Sequence, residues 1–599
     1  MPNPLRVDLH RVDSTSFDYV YEENVTIELQ EQRGIVRANV YRPKPPGHSK
    51  CPVLVTYGPY GKDVHYSVFH AESFAEVPAE HHSPHSAWET PDPGFWTRHG
   101  YAIVRADEVG LGQSPGILNT MSRDTSLAFK DVIEWAADQP WSSGKVGLLG
   151  ISYYAGSQWR VAARRPRGLA CIIPWEGMSD YYRDRCRHGG ILSNTFIGWW
   201  WNRQVIVNQY GRGGRAARKW GPDTLEGNLS EEELAAKCHD QTVDNVKNRF
   251  LDDEYYATTD YDMSDIEVPL LSVGNWGGIL LHLRGNVEGF VNAGSRHKYL
   301  RFVTGRHDLP FYTKEYVDLQ LSFLNAFLKG DDPMGWSRGE QPKVRYRSRI
   351  GDVGFNDAVA EAAYPERDAE MWPIPTTQYT KYYMTPGKGL QTSLAEQKTE
   401  ARLSYKALGD LKNQHLVQFV SDSFTEQVEF TGHIVARLNV SVTVDENQVT
   451  QPSDIDLFVT LRHLDQQDKE ILYTGTVGDP VPIAKGWLRV SLRAINEKSS
   501  RCVLPWHPHR EYRSTDHSPL TPGEVYQVDV EVWPTNVVFA PGDKLVFEVS
   551  SGDTQGAGLF EHNSKEDRDS KTFAGINHIH FGPSYNNWVL MPVVPSIKA

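Results

Sequence analysis

Between residues 20 and 180, short apolar runs alternate with stretches of helical period. Residues 25–29 and 35–41 read as a leading hairpin. PVLVTY at 52–57 and YAIVRA at 101–106 read as buried strands, and SLAFKDVIEWAA at 126–137 as an amphipathic helix. The run at 145–149 (KVGLL) predicts another strand, 155–165 (AGSQWRVAARR) a helix stopped by Pro166, and ACIIP at 170–174 a further strand. Strand–helix alternation of this kind predicts a doubly wound, mostly parallel sheet with helices on both faces.

The pattern then breaks. Residues 180–263 are polar and helix-like, with an aromatic patch at Trp199, Trp200 and Trp201, and they read as an insertion. Alternation resumes at 268–273 (VPLLSV) and 299–304 (YLRFVT), followed by a helix over 317–328. Past about residue 340 short strands with Gly, Pro and Asp punctuation take over, which predicts a β sandwich or jelly roll. The expected division is 1–179 and 264–340 for the sheet domain, 180–263 for the cap and 341–599 for the β domain.

Composition narrows the partners. A net charge of −14 spread over 599 residues, without a basic block, argues against nucleic acid. The five cysteines, Cys51, Cys171, Cys186, Cys238 and Cys502, show no C-x-x-C spacing and read as reduced thiols. No apolar run has membrane-spanning length and the first residues lack a signal-like apolar stretch, so the expectation is a cytoplasmic protein with no membrane partner. The histidines at 81, 82 and 85 lack metal-ligand spacing and read as a solvated loop; no metal and no cofactor are expected. The glycines around Arg212 follow no strand and make a poor phosphate loop.

The chemistry is expected at GLLGISYYAG, residues 147–156. Ser152 sits between a predicted strand and a predicted helix, the setting of a nucleophile elbow, although Tyr154 occupies the second glycine position of G-x-S-x-G. The strand before, the helix after and the small pair Ala155–Gly156 favour a nucleophile over an ordinary connection.

Residues 132–152, the GPYGK turn at 58–62 and the phrases GWLRVSLRA, LTPGEVYQVDVEVWPT and APGDKLVFEVSS together resemble the cocaine esterase / X-Pro dipeptidyl-peptidase family, to which the alpha-amino-acid ester hydrolases are similar. The resemblance implies an α/β-hydrolase domain, an inserted helical cap and a C-terminal jelly roll. It also implies assembly into dimers or larger oligomers. It places the nucleophile on Ser152, the general base on His307, and the oxyanion hole on the Tyr60 hydroxyl and the Tyr153 N–H. The family carries an acid in a Gly-Trp-Tyr-Asp-Gly turn after its seventh strand. Here that turn reads Gly274-Asn-Trp-Gly-Gly278, with Gly277 at the acid's position. Glu176, leaving the carboxyl end of the sixth strand, is the first candidate to replace it, ahead of Asp180 and Asp308. A cap-hinge salt bridge is the competing role for Glu176. A carboxylate restored at Gly277 is expected to recover function if there is room. Trp276 and Trp199 are expected to line the substrate pocket. The expected activity is hydrolysis of a small-molecule ester or amide through an acyl-enzyme. The alternatives are an X-Pro dipeptidyl peptidase or alpha-amino-acid ester hydrolase, an acyltransferase or cyclase, and a silent binding protein.

Overall fold

The computed structural model describes residues 9–30, 34–44, 50–225, 227–394, 397–446, 450–498 and 504–595. Cys502 lies outside them; Cys51, Cys171, Cys186 and Cys238 are free thiols.

The strands Cys51–Gly58, Ala102–Asp107, Ser142–Ile151 and Leu169–Trp175 form the centre of an 11-stranded sheet and run parallel to one another. Leu270–Asn275, Lys298–Val303 and Val344–Arg347 continue it in parallel. The leading hairpin, Tyr19–Glu28 with Ile35–Pro43, joins antiparallel to Ala102–Asp107. Central strands covered on both faces must be apolar throughout rather than alternating, which is why PVLVTY and LACIIPW read as continuous runs. The sheet does not end at residue 340: Val344–Arg347 and the antiparallel strand Glu366–Ala369 complete it.

Helix Arg123–Asp138 buries one stripe against the sheet, and the Ser122 side chain caps it by accepting from the Thr125 N–H. Between residues 180 and 263 the chain forms short helical turns and one small hairpin, Arg187–His188 with Ile191–Leu192. From Gln378 on, all but two of the strands build a 12-stranded β assembly whose longest pair is Val428–Thr443 with Tyr526–Phe539, antiparallel and bulged between Gly432 and Ile434. A two-stranded hairpin of this domain, Tyr473–Thr474 with Pro480–Val481, turns back toward the carboxyl ends of the parallel strands. Its turn residue Thr476 accepts the His307 N–H at 3.0 Å.

The loop at 80–85 is solvated at Glu80, His82 and Pro84 but packed at its other two histidines. His81 is buried against Phe95 and Tyr312, and His85 pairs with the Tyr19 hydroxyl at 2.6 Å. No helix among the described residues is long and apolar enough to cross a membrane.

Candidate active site

Strand Ser142–Ile151 runs straight into helix Tyr153–Ala162, and Ser152 alone makes the turn, at φ 58°. A non-glycine residue there is strained by about 1–3 kcal/mol and persists only where its surroundings hold it. The Ser152 N–H is shared between the carbonyls of Trp175 and Glu176, at 3.0 and 3.1 Å. Small residues let the backbones close in. A Cβ on Gly177 would stand 2.5 Å from the Ala155 Cβ. Tyr154 fits where the motif usually has glycine because Gly58, opposite, has no side chain; a Cβ there would stand 2.7 Å from the Tyr154 ring.

Two more residues of the site share this strain, Glu89 at φ 62° and Glu176 at φ 45°. The Glu89 carbonyl accepts the Ile151 N–H at 3.1 Å, which ties its loop to the elbow.

His307 follows strand Lys298–Val303, and its Nδ1 lies 2.9 Å from Glu176 Oε2. The other Glu176 oxygen accepts from Asn275 Nδ2 at 3.1 Å, while Asn275 Oδ1 accepts the Gly277 N–H at 2.9 Å. Thus the turn that lacks the family's aspartate supplies an asparagine that orients the glutamate. Asp180 and Asp308 are engaged elsewhere. Asp180 accepts the Arg183 N–H at 2.8 Å, and Asp308 accepts from Ser73, from the Tyr66 hydroxyl and from Trp88 Nε1. Gly277 offers no room for a side chain, since its Cβ would stand 1.9 Å from the Thr474 carbonyl oxygen.

His307 Nε2 faces a second carboxylate, Glu89 Oε1, at 3.2 Å. Burial alone would depress the His307 pKa. The charge and hydrogen bond of Glu176, joined by those of Glu89, outweigh it and push the imidazole up to about 10. Burial raises the Glu89 carboxyl, and despite its bond to His307 it stands at about 7.

The Ser152 hydroxyl pairs with a different histidine. Its Oγ lies 3.3 Å from His282 Nε2, and the His282 and His307 rings stack at 5.0 Å with 9° between their planes. His282 precedes helix Leu283–Asn292. Burial, then the charges of His307 and Arg185, holds its pKa well below the usual histidine value.

Tyr60 is buried beside the elbow, its ring 5.6 Å from that of Tyr154. Its hydroxyl oxygen accepts from Trp200 Nε1 at 3.0 Å, which leaves the hydroxyl proton free to donate. Tyr153 opens its helix, so its N–H has no acceptor within the helix.

Ser152, Tyr60, Glu89 and His307 line one cavity of ≈ 210 Å³. Trp88, Phe196, Trp199, Trp200, Leu281 and Phe560 supply its apolar wall. Leu559, Phe560, Thr476 and Val477 bring the β domain to it. Trp276, expected in the pocket, is elsewhere. It is fully buried, stacks on Phe302 at 3.9 Å and donates to the Arg347 carbonyl, because the turn after its strand points the indole into the core. Sequence reasoning missed Glu89, His282 and Asn275. The one signal available was a histidine at the start of the helix after the altered turn.

A strained serine elbow at the carboxyl edge of a parallel sheet, with a carboxylate-bound histidine nearby, defines a serine hydrolase of the α/β-hydrolase class. Comparison with known proteins makes this specific. Residues 35–308 match the X-Pro dipeptidyl-peptidase (S15 family) model, and residues 335–590 match the X-Pro dipeptidyl-peptidase C-terminal non-catalytic domain. The chain belongs to the cocaine esterase / X-Pro dipeptidyl-peptidase family, and it is a serine hydrolase of esters or amides. Cocaine esterase from Rhodococcus sp. (strain MB1 Bresler) is 23% identical, over 96% of this chain and 99% of its own. A CocE/NonD family hydrolase from Staphylococcus aureus is 26% identical with a TM-score of 0.79, covering 99% of this chain and 100% of that one. An alpha-amino acid ester hydrolase structure shares the fold at 14% identity, with a TM-score of 0.66 over 99% of this chain and 100% of that one.

Proposed function

We propose that the protein hydrolyses a small carboxylic ester through an acyl-enzyme on Ser152, with Glu176 in place of the family's aspartate. His307 takes the serine proton on Nε2 and returns it to the leaving group. Glu176 holds Nδ1–H and stabilises the imidazolium, while Tyr60 and the Tyr153 N–H receive the oxyanion. His307 Nε2 has to exchange Glu89 for Ser152 when substrate enters. The observation that carries this reading is the 2.9 Å contact between Glu176 and His307 beside a serine on a strained elbow. A fluorophosphonate is expected to add once, to the GISYYAG peptide. Equal labelling of Ser152→Ala would refute it.

A second reading, an amine-bearing acyl group as in an X-Pro peptide or amino ester, rests on two atoms. Glu89 Oε2 and Gln204 Oε1 are buried without a hydrogen-bond partner, and both residues line the cavity. Unpaired buried acceptors are costly and favour a ligand that brings N–H donors. Paired esters with and without an α-amino group, otherwise identical, separate the two readings.

A further inference from the structure

We propose that His282 is a further catalytic residue, a fixed hydrogen-bond donor to the Ser152 oxygen rather than a base. The inference rests on Ser152 being the nucleophile.

The geometry determines which nitrogen carries the proton. His282 Nδ1 lies 3.2 Å from the Met178 backbone nitrogen, whose N–H can only donate. Nδ1 is therefore the acceptor, and the neutral ring bears its proton on Nε2. That Nε2 is the atom 3.3 Å from Ser152 Oγ. A nitrogen that already holds a proton cannot take the serine's. His282 therefore donates to Oγ, and the serine's own proton is left for His307. The ring is buried and strongly disfavours a positive charge, which keeps it in this neutral form.

The donor acts on charge at the nucleophile. As the Oγ–acyl bond forms, the Oγ–H pair shifts to oxygen, the proton moves to His307 Nε2 and the carbonyl electrons move to the oxyanion. The His282 proton stays in place and its bond to Oγ is strongest while Oγ carries excess charge. In deacylation Oγ leaves with that same charge and recovers its proton from His307. His282 thus complements the oxyanion donors on the opposite side of the reacting bond. It also spaces His307, since the two rings stack in parallel.

The test uses the full-length protein. His282→Phe keeps a flat ring and removes the donor; it is expected to slow fluorophosphonate labelling of Ser152 and kcat by about a hundredfold, with KM unchanged. His282→Gln, which retains an N–H donor, is expected to stay within about tenfold of the wild type. The pH dependence of labelling is expected to keep its midpoint in both variants, because the base is elsewhere. Labelling of His282→Phe at the wild-type rate overturns the proposal, and so does loss of the pH-dependent limb, which would make His282 the base. If His282→Phe does not fold, nitrogen-15 NMR of histidine-labelled wild type decides it. A protonated Nε2 and bare Nδ1 on His282 supports the donor, and the reverse tautomer overturns it. Failure of the wild type to label at Ser152 would instead defeat the nucleophile assignment.

Discussion

The Glu89 carboxylate lies 3.2 Å from His307 Nε2, the nitrogen that must meet the nucleophile in a serine hydrolase. With Glu176 on Nδ1, the imidazole stands between two carboxylates, and both favour its charged form. A base works only when neutral. Activity of the free enzyme, read as kcat/KM, is therefore expected to rise with pH towards about 10, where His307 loses its proton. Glu89→Gln removes one stabiliser of the imidazolium, so the His307 pKa falls and the rising limb moves to lower pH, by about one to three units. A full kcat/KM profile from pH 5 to 11 checks this. A limb that stays in place, or moves to higher pH, would show that Glu89 does not hold the base.

Glu176→Gln is expected to preserve the fold and cut kcat by about 10⁴, since an amide cannot stabilise the imidazolium and favours the wrong tautomer. Returning a carboxylate to the family's position is not expected to help. In Gly277→Asp the new Cβ would overlap the Thr474 carbonyl, which stands 1.9 Å from that point. The double variant Glu176→Gln/Gly277→Asp should be inactive and melt below the single one. Recovered turnover with unchanged melting would show that the Gly277 turn does have room for a carboxylate; full activity in Glu176→Gln alone would place the acid elsewhere.

The contact between Thr474 and Gly277 also marks what the sequence could and could not reveal. Periodicity located the parallel strands because a strand buried on both faces has to be apolar along its whole length, as Cys51–Gly58 and Leu169–Trp175 are. The elbow was legible because a serine between a strand and a helix leaves few backbone choices. Glu89 and His282 were not. Each reaches the site through a loop or helix start whose position depends on long-range packing, and a lone glutamate or histidine carries no local pattern. Trp276 misled because indoles line pockets and cores alike, and only the stacking on Phe302 separates the two. The β domain's part in the cavity, through Thr476 and Val477, lies about 170 residues from His307, whose N–H Thr476 accepts, and has no motif.

Amine recognition gives a third prediction. If the unpaired Glu89 and Gln204 oxygens receive a substrate ammonium, an α-amino ester should have a lower KM than its des-amino analogue. Gln204→Leu should erase that preference by raising KM for the amino ester alone, by about tenfold for one lost hydrogen bond to a charged group. Equal KM values for both esters in the wild type would leave the neutral-ester reading standing.

The last prediction concerns Tyr60. Its oxygen accepts from Trp200 Nε1 at 3.0 Å, and it is buried where a phenolate is strongly disfavoured, chiefly by desolvation and then by the Glu89 charge. The phenol therefore keeps its proton across the working pH range and presents it to the cavity that holds Ser152. An aimed donor of this kind costs no reorganisation when the oxyanion forms and contributes about 3–4 kcal/mol to the transition state. Tyr60→Phe should lower kcat by about 10²–10³ with little change in KM, because the ground-state carbonyl gains less from the donor than the oxyanion does. Trp200→Phe provides the control. It removes the N–H that fixes the Tyr60 hydroxyl while leaving the hydroxyl in place, so its loss should be smaller and should vanish when combined with Tyr60→Phe. Initial rates on a chromogenic ester with all four forms decide the matter. Full activity in Tyr60→Phe, or additive losses in the double variant, would return Tyr60 to a packed turn residue and leave the oxyanion to the Tyr153 N–H alone.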